Sequence, residues 1–230
     1  MKNKSASKFR NAYHDHIRMD VLPHIPQAAP FKTGGEQNSR QLLDLGGGIG
    51  ATAFTAKEMG LADKVGVADL VDNTDSAIAL DFSFQGNLEN PDFIDHIVAE
   101  RGQFDIILAL DILEHLVDPW ATVKKLHESL KPEGILVASI PNVRNYRALF
   151  PLLFKNQWTY RDSGILDRTH LRFFVRETAI DLASWSGLTV EKVVPSAVGG
   201  GKIKLIRRLT LGLFNSFTDR QYVVIARNKG

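Results

Sequence analysis

The feature that most constrains this 230-residue chain is the alternation of short apolar runs with segments of helical pattern. A short apolar run bounded by turn residues is typical of a buried strand. Strands that alternate with helices form a parallel sheet, so the pattern predicts an α/β, doubly wound fold. The predicted strands are Gln41–Leu45, Lys64–Asp69, Phe82–Gln85, Phe104–Leu110 and Gly134–Ile140, followed later by Leu188–Val194 and Gln221–Arg227.

Local capping signals place the helices between these runs. Asn90 and Pro91 are typical of an N-cap and a first helical position, and Gly102 is typical of a helix end. Asp118 and Pro119 repeat the same start signal. Three further segments show helical pattern: 142–160, 176–186 and 202–217.

A glycine-rich loop follows the first predicted strand, in the stretch "LLDLGGGIGATA" from Leu42 to Ala53. In a doubly wound sheet such a loop lies at the carboxyl end of a strand, where ligands bind. The helix that follows Gly50 offers free N–H groups to a polar ligand. Ala51 stands at the third position of the G-x-G-x-x-G dinucleotide pattern, where alanine is tolerated, so the glycines alone leave a dinucleotide open.

An acid, Asp44, lies two residues before the first glycine. A carboxylate there favours the cationic amino group and sulfonium of S-adenosylmethionine (SAM), whereas it would repel a pyrophosphate. A short-chain dehydrogenase also requires a tyrosine followed four residues later by lysine, and none of the four tyrosines has that spacing.

At this point the chain resembles the class I SAM-dependent methyltransferases, over roughly Tyr13 to the C-terminus. The matching stretches are "DLGGGIG", "KVGVADL", "QGNLE", "FDIILALDILEHLVDPW" and "LKPEGILVASIPN". The resemblance implies a Rossmann-like sheet of seven strands with the last strand antiparallel, plus a helical and loop cap. It also implies SAM as cofactor, with Asp69 on the ribose hydroxyls, Asn87 on the adenine amino group and the Leu88 N–H at the ring. The full set of expected cofactor residues is Asp44, Gly46, Gly48, Gly50, Asp69, Leu70, Asn87, Leu88 and Leu110. Asn87 stands where the family usually has aspartate, and Asp72 is an alternative for the ribose role.

Within this family the stretches "DILEHLVDP", "SIPNVRNY" and "GILDRTHLRFF" resemble bacterial methyltransferases of polysaccharide and small-metabolite pathways. The resemblance implies a small-molecule or glycan acceptor. We expect catalytic roles for His170, His115 and Asp111, and acceptor contacts from Tyr13, Asn142 and Arg172. His170 is a candidate general base, because imidazole titrates near physiological pH; a structural role for it is the alternative. We expect no metal site, although two histidines and an acid could supply one.

The chain is expected to form a single domain over residues 1–230. Its parts would be an N-terminal arm and loop (1–40), a cofactor-binding core (41–141), a cap or acceptor region (142–175) and an amphipathic insertion (199–218). In 202–217 the apolar residues follow helical spacing, with Lys204, Arg207 and Arg208 on the opposite side. This pattern fits a helix packed on its own domain or, alternatively, a weak contact with a membrane surface.

Composition narrows the protein class further. A net charge of +2 gives no reason to expect a nucleic-acid partner. The absence of cysteine excludes thiol catalysis. The polar first ten residues predict no secretory signal, and we expect a cytoplasmic protein. Three alternatives to a methyltransferase stay open: a SAM-binding protein without turnover, an NAD-type oxidoreductase and an aminopropyltransferase.

Overall fold

The computed structural model describes residues 17–27, 39–72, 78–196 and 200–230. They form one seven-stranded sheet with the order β3-β2-β1-β4-β5-β7-β6. β7 is antiparallel to both of its neighbours, and the other strand pairs are parallel. The strands are β1 Gln41–Leu45, β2 Lys64–Asp69, β3 Phe82–Gln85, β4 Phe104–Leu110, β5 Leu130–Pro141, β6 Thr189–Ser196 and β7 Gln221–Arg227. The predicted fold class, including the antiparallel last strand, is confirmed.

The helices lie between the strands, as the capping residues predict. The Asn90 side chain accepts a hydrogen bond from the Asp92 N–H at 3.1 Å, and Asp118 Oδ1 accepts one from the Ala121 N–H at 3.0 Å. Such caps satisfy N–H groups that a helix leaves unpaired at its start. The helices are α1 Ala51–Glu58, α2 Pro91–Arg101, α3 Pro119–Glu128, α4 Tyr146–Lys155, α5 Arg176–Ser184, α6 Gly201–Leu209 and α7 Asn215–Thr218, with 3₁₀ turns at Leu22–His24 and Leu113–His115.

Apolar side chains fill both faces of the sheet. One core cluster includes Phe104, Leu126 and Leu136, and the other, on the opposite face, includes Leu22, Val65 and Ile106. Successive strand residues point to opposite faces, so β4 supplies both clusters from a single apolar run. Leu22 is fully buried, and it anchors the short N-terminal segment 17–27 on the domain.

The segment 142–160 is helical over a shorter span than predicted. α4 begins only after Asn145, whose side chain accepts a hydrogen bond from the Arg147 N–H at 3.1 Å. It ends at Asn156, which adopts a left-handed backbone with φ 51°. Asparagine side chains compete locally for backbone N–H groups, and that competition sets the start of this helix.

The segment 202–217 is not the continuous helix that the periodicity predicts. Between α6 and α7, Leu211 (φ 48°) and Gly212 (φ 82°) adopt left-handed backbone conformations. The Gly212 N–H donates to the Arg207 carbonyl at 2.9 Å, a bond typical of a helix C-terminus. The predicted apolar stripe is therefore broken, and Leu213 is largely exposed.

Strand topology fixes where a site can form. The chain order reverses between β1 and β4, which are neighbours in the sheet although β2 and β3 separate them in sequence. Ligands of open α/β sheets bind at the carboxyl ends of strands at such a point. No described helix is both long enough and apolar enough to span a membrane.

Candidate active site

The glycine loop is tied to the end of the neighbouring strand. The Gly46 N–H donates to the Ala68 carbonyl at 2.8 Å, and the Gly48 N–H donates to Asp69 Oδ2 at 2.9 Å. Gly46, Gly48 and Gly50 have φ values of 66°, 55° and 84°, in the left-handed region that glycine adopts at little cost. The sequence therefore places glycine where the backbone requires it.

Asp44 lies beneath this loop with only 2% of its surface exposed. Its Oδ2 atom is buried without a hydrogen-bond partner in the described part of the chain. Burial, together with the nearby charge of Asp69, raises the pKa of Asp44 to about 7. A Cβ atom at Gly47 would approach the Asp44 carboxyl to 2.7 Å. The loop thus covers an acid that has unused hydrogen-bonding capacity.

The ends of β2 and β3 carry the residues expected at the adenosine. Asp69 is nearly buried, and its Oδ1 atom accepts from the Val71 N–H at 3.0 Å. Leu70 is exposed, whereas Leu88 is buried. Asn87 is exposed, and its Oδ1 atom accepts from the Glu89 N–H at 2.9 Å. All four lie at or just after the carboxyl ends of β2 and β3, the two strands on one side of β1 in the sheet.

At the end of β4, Leu110 is half-buried and Asp111 has a left-handed backbone. Asp111 Oδ2 accepts a hydrogen bond from Arg18 Nη1, and its Oδ1 atom accepts from Ser139 Oγ at 3.2 Å and from the side-chain amide of Gln221. Burial raises the pKa of Asp111, while the Arg18 guanidinium opposes that shift. Asp111 therefore links the N-terminal segment to β5 and β7.

Three more of the polar side chains in this region converge beside Asp111. Glu114, His115 and His170 each offer one ligand-type atom, and these atoms all lie within 4.8 Å of one another. His170 Nε2 lies 3.9 Å from Glu114 Oε1, and the two imidazole rings meet edge to face with centroids 4.7 Å apart. Burial raises the pKa of Glu114 well above its usual range, and Asp111 adds to this. Burial also lowers the pKa of His170, with His115 contributing.

Backbone contacts fix the segment that carries His170. The N–H groups of Leu171 and Arg172 both donate to the Glu114 carbonyl, at 2.9 and 3.0 Å. The Arg172 guanidinium donates to the Val117 carbonyl. A cavity of about 190 Å³ opens beside this segment, and its lining includes Asp111, Glu114, Asp167, His170, Arg220 and Gln221. The cap segment thus returns to the loop that follows β4, at the carboxyl end of the sheet.

Asn142, which was expected to contact the acceptor, directly follows the last residue of β5. Asn142 is fully buried; its Nδ2 atom donates to the carbonyls of Ser216 and Asp219 at 2.8 and 2.9 Å, and its Oδ1 atom accepts from the Arg144 N–H. The Asn142 amide therefore holds the turn after β5, and an acceptor contact at this residue stays a prediction. Tyr13 lies outside the described residues.

Arg18 and Glu114 are not among the site residues predicted from the sequence. Arg18 is 93 positions from Asp111 in the sequence, and no local sequence pattern predicts the hydrogen bond between the two side chains. Glu114 is visible within "ILEHL", but only the structure shows that it is 1% exposed and lies next to two histidines.

Comparisons with known proteins agree with this architecture. A family model described as a methyltransferase domain matches residues 13–193. A ubiquinone biosynthesis O-methyltransferase of Psychrobacter arcticus is 30% identical over 164 residues, covering 67% of this chain and 61% of that protein. The enzyme of the same name from Shewanella pealeana is 27% identical, covering 66% of this chain and 64% of that protein. The chain thus spans less than two thirds of the length of these relatives. A SAM-dependent methyltransferase structure from Archaeoglobus fulgidus has a TM-score of 0.56 at 17% identity, covering 83% of this chain and 86% of that one.

Proposed function

The chain belongs to the methyltransferase-domain family, and from this premise we propose that it transfers the methyl group of SAM to a hydroxyl oxygen of a small-molecule or glycan acceptor. The O-methyltransferase names of its relatives support oxygen as the receiving atom. The enzyme class is that of a SAM-dependent methyltransferase. The acceptor and the roles of individual residues are part of this proposal.

The buried Asp44 carboxyl is the observation that carries this proposal. An acid with an unpaired oxygen under a glycine loop fits a cationic ligand group and disfavours a pyrophosphate. Asp69, at the adjoining strand end, has two oxygens that each accept one backbone hydrogen bond, and a carboxylate can accept more. The residues present therefore fit SAM, with Asp44 and the glycine loop at its amino acid part and Asp69 at its ribose.

SAM, when bound, supplies a methyl group that its sulfonium already activates. The protein then has to position the acceptor and receive its proton. Asp111, Glu114, His115 and His170 lie together beside the cavity at the end of β4. We assign this cluster to the acceptor end of the pocket, with Arg172 supporting it from outside through Val117.

Arg18 and Gln221 complete this end of the pocket. Both donate to the Asp111 carboxylate, so they hold it in one orientation next to the cavity. Arg18 also donates to Ser139 Oγ at 3.0 Å and closes the N-terminal segment against β5. The segment 17–27 therefore forms one wall of the proposed site.

A screen with methyl-labelled SAM tests this function. Purified protein is incubated with catechols, other phenols, sugars, nucleotide sugars and amines, and transfer of label to each is measured. Label on a hydroxyl-bearing acceptor, lost in Asp44→Ala but kept in the surface variant Asp63→Ala, is the expected result. Label on an amine or a carbon acceptor alone would contradict oxygen as the receiving atom. Binding of S-adenosylhomocysteine without transfer to any acceptor would favour a SAM-binding protein without turnover.

A further inference from the structure

The cluster of Glu114, His115 and His170 has lone pairs that nothing in the described part of the chain uses. Both Glu114 oxygens are buried without a hydrogen-bond partner there. The side chain is only 1% exposed, so solvent does not replace those partners. A buried carboxyl group with neither oxygen paired is costly, and such a group is expected to have a ligand.

The histidines are held by their Nδ1 atoms. His170 Nδ1 lies 3.1 Å from the Ile165 carbonyl, which can only accept, so Nδ1 carries the proton. His115 Nδ1 lies 3.2 Å from the Thr169 carbonyl and 3.0 Å from Thr169 Oγ1. That hydroxyl donates to Asp167 Oδ1 at 2.7 Å, so it receives the hydrogen bond from His115. Each neutral ring is thereby left with its lone pair on Nε2.

This pattern matches the way proteins prepare histidines for metals. A ligating histidine generally donates its other ring N–H to a carbonyl or carboxylate, which fixes the tautomer and orients the ring. Here the carbonyls of Ile165 and Thr169 do this for His170 and His115. His170 Nε2 then faces Glu114 Oε1 across 3.9 Å, a separation too long for a direct hydrogen bond.

We propose that Glu114, His115 and His170 bind a divalent transition-metal ion of the Zn²⁺ type at the acceptor end of the pocket. Two imidazoles and one carboxylate form a ligand set typical of Zn²⁺, Fe²⁺ or Co²⁺, and three protein ligands leave a position open. Ligand atoms about 2.1 Å from an ion lie about 3.4 Å apart in tetrahedral geometry, so small side-chain rotations bring the atoms into position. The proposal adopts the alternative of two histidines and an acid in place of the expectation of no metal site.

This metal site is separate from the methyl transfer proposed above, because metal binding can be measured without a methyl donor. A position left open by three protein ligands would be available to an acceptor in the adjacent cavity, which His170 and Asp111 line. An acceptor oxygen bound there would lose its proton more readily, because a bound cation stabilises the oxyanion. The activating role predicted for the His170 imidazole from the sequence would then belong to the bound metal.

Metal titration of the full chain tests the site. Protein dialysed against a chelator is titrated with Zn²⁺ by calorimetry, and with Co²⁺ by visible absorption; Mg²⁺ serves as a hard-cation control. We expect one equivalent of Zn²⁺ and Co²⁺ to bind, and weaker binding of Mg²⁺. Glu114→Gln and His170→Ala should each weaken Zn²⁺ binding at least about tenfold, because loss of an outer-shell partner alone costs about 10- to 100-fold.

Two control variants identify the ligands. His96 pairs with Glu100 at 3.1 Å on the surface, so His96→Ala should leave binding unchanged. The sequence holds another histidine pair, His14 and His16, outside the described residues. Retained binding in a His14→Ala/His16→Ala variant supports the proposal. Loss of binding there, unchanged binding in both Glu114→Gln and His170→Ala with an unaltered circular dichroism spectrum, or no binding to the wild type would overturn it.

Discussion

The carboxylate of Asp69 at the end of β2 accepts a hydrogen bond from the Gly48 N–H in the glycine loop, at 2.9 Å. Its other oxygen accepts from the Val71 N–H, at 3.0 Å. The same side chain therefore fixes the loop after β1 and the loop after β2. Asp69, which is predicted to accept hydrogen bonds from the ribose hydroxyls, therefore also shapes the glycine loop beside it.

Replacing Asp69 should consequently affect both ligand affinity and loop order. Asp69→Ala removes a charged acceptor, and we expect affinity for S-adenosylhomocysteine to fall by about 1–3 kcal/mol. The melting temperature should fall as well, because the Gly48 N–H loses its partner. Calorimetric titration and thermal melting measure the two effects. Asp72→Ala is the matched control; unchanged affinity in Asp69→Ala with loss in Asp72→Ala would move the ribose role to Asp72.

A methyl group at Gly47 should disturb the acid under the loop. A Cβ atom there would lie 2.7 Å from the Asp44 carboxyl, which is buried and has little room to move. Gly47→Ala should weaken S-adenosylhomocysteine binding by about tenfold or more, equivalent to about 1.4 kcal/mol. Gly200→Ala, where an added Cβ meets nothing within 4 Å, should bind as the wild type does. Equal affinities in the two variants would show that crowding the Asp44 carboxyl does not affect ligand binding.

Ligand affinity should depend on pH through Asp44. Burial, with the Asp69 charge, raises the pKa of Asp44 to about 7, so the carboxyl gains its charge as pH rises through that value. A cationic amino group binds the ionised form better. Affinity for S-adenosylhomocysteine should therefore rise about tenfold between pH 6 and pH 8, as expected from linkage to one such group. In Asp44→Asn this rise should disappear; a rise of the same size in the variant would assign it to another group.

The unliganded protein should show the opposite trend in stability. The folded-state pKa of Asp44 lies above the ordinary value of 3.8, so its contribution to stability is fully present below that value. It is lost as pH rises through about 7, because folding then has to bury a charged carboxylate. Asp44→Asn should stabilise the protein more at pH 8 than at pH 5, measured by urea unfolding. A gain independent of pH would indicate that Asp44 is ionised throughout this range.

His170 should matter for turnover rather than for cofactor binding. It lies with Glu114 and His115 beside the cavity, whose lining includes neither Asp44 nor Asp69. His170→Ala should leave affinity for S-adenosylhomocysteine nearly unchanged while turnover falls by about 10² or more, the range for losing an activating group. Steady-state kinetics with the acceptor found in the labelled-methyl screen measure the loss. Lost cofactor affinity with unchanged turnover at saturation would contradict this, because it would place the cap segment at the cofactor end of the pocket and not at the acceptor end.

The sequence predicted those elements whose signals are local. β1, β2, β3, β4 and β7 have the predicted bounds, because the residues that begin and end each strand are local in the sequence. The N-caps of α2 and α3 were readable for the same reason: Asn90 and Asp118 act within three residues of themselves. The left-handed glycines of the loop likewise follow from a local backbone requirement.

Long-range pairing could not be predicted in this way. Asn142 was expected at the acceptor, but its amide hydrogen-bonds carbonyls 74 and 77 residues away, which no local pattern records. The ion pair of Arg18 with Asp111 joins residues 93 positions apart. The prediction of a continuous amphipathic helix over 202–217 was wrong for a different reason. Side-chain periodicity does not report the backbone reversal at Leu211 and Gly212.

Comparative binding of S-adenosylhomocysteine and NAD by isothermal calorimetry tests the central claim most directly. We expect S-adenosylhomocysteine to bind with one equivalent and to raise the melting temperature, as a ligand specific for the native state does. NAD and NADP should produce neither heat nor a melting shift, because their pyrophosphate would meet the Asp44 carboxyl. Binding of NAD or NADP without binding of S-adenosylhomocysteine would contradict SAM-dependent methyl transfer at this site.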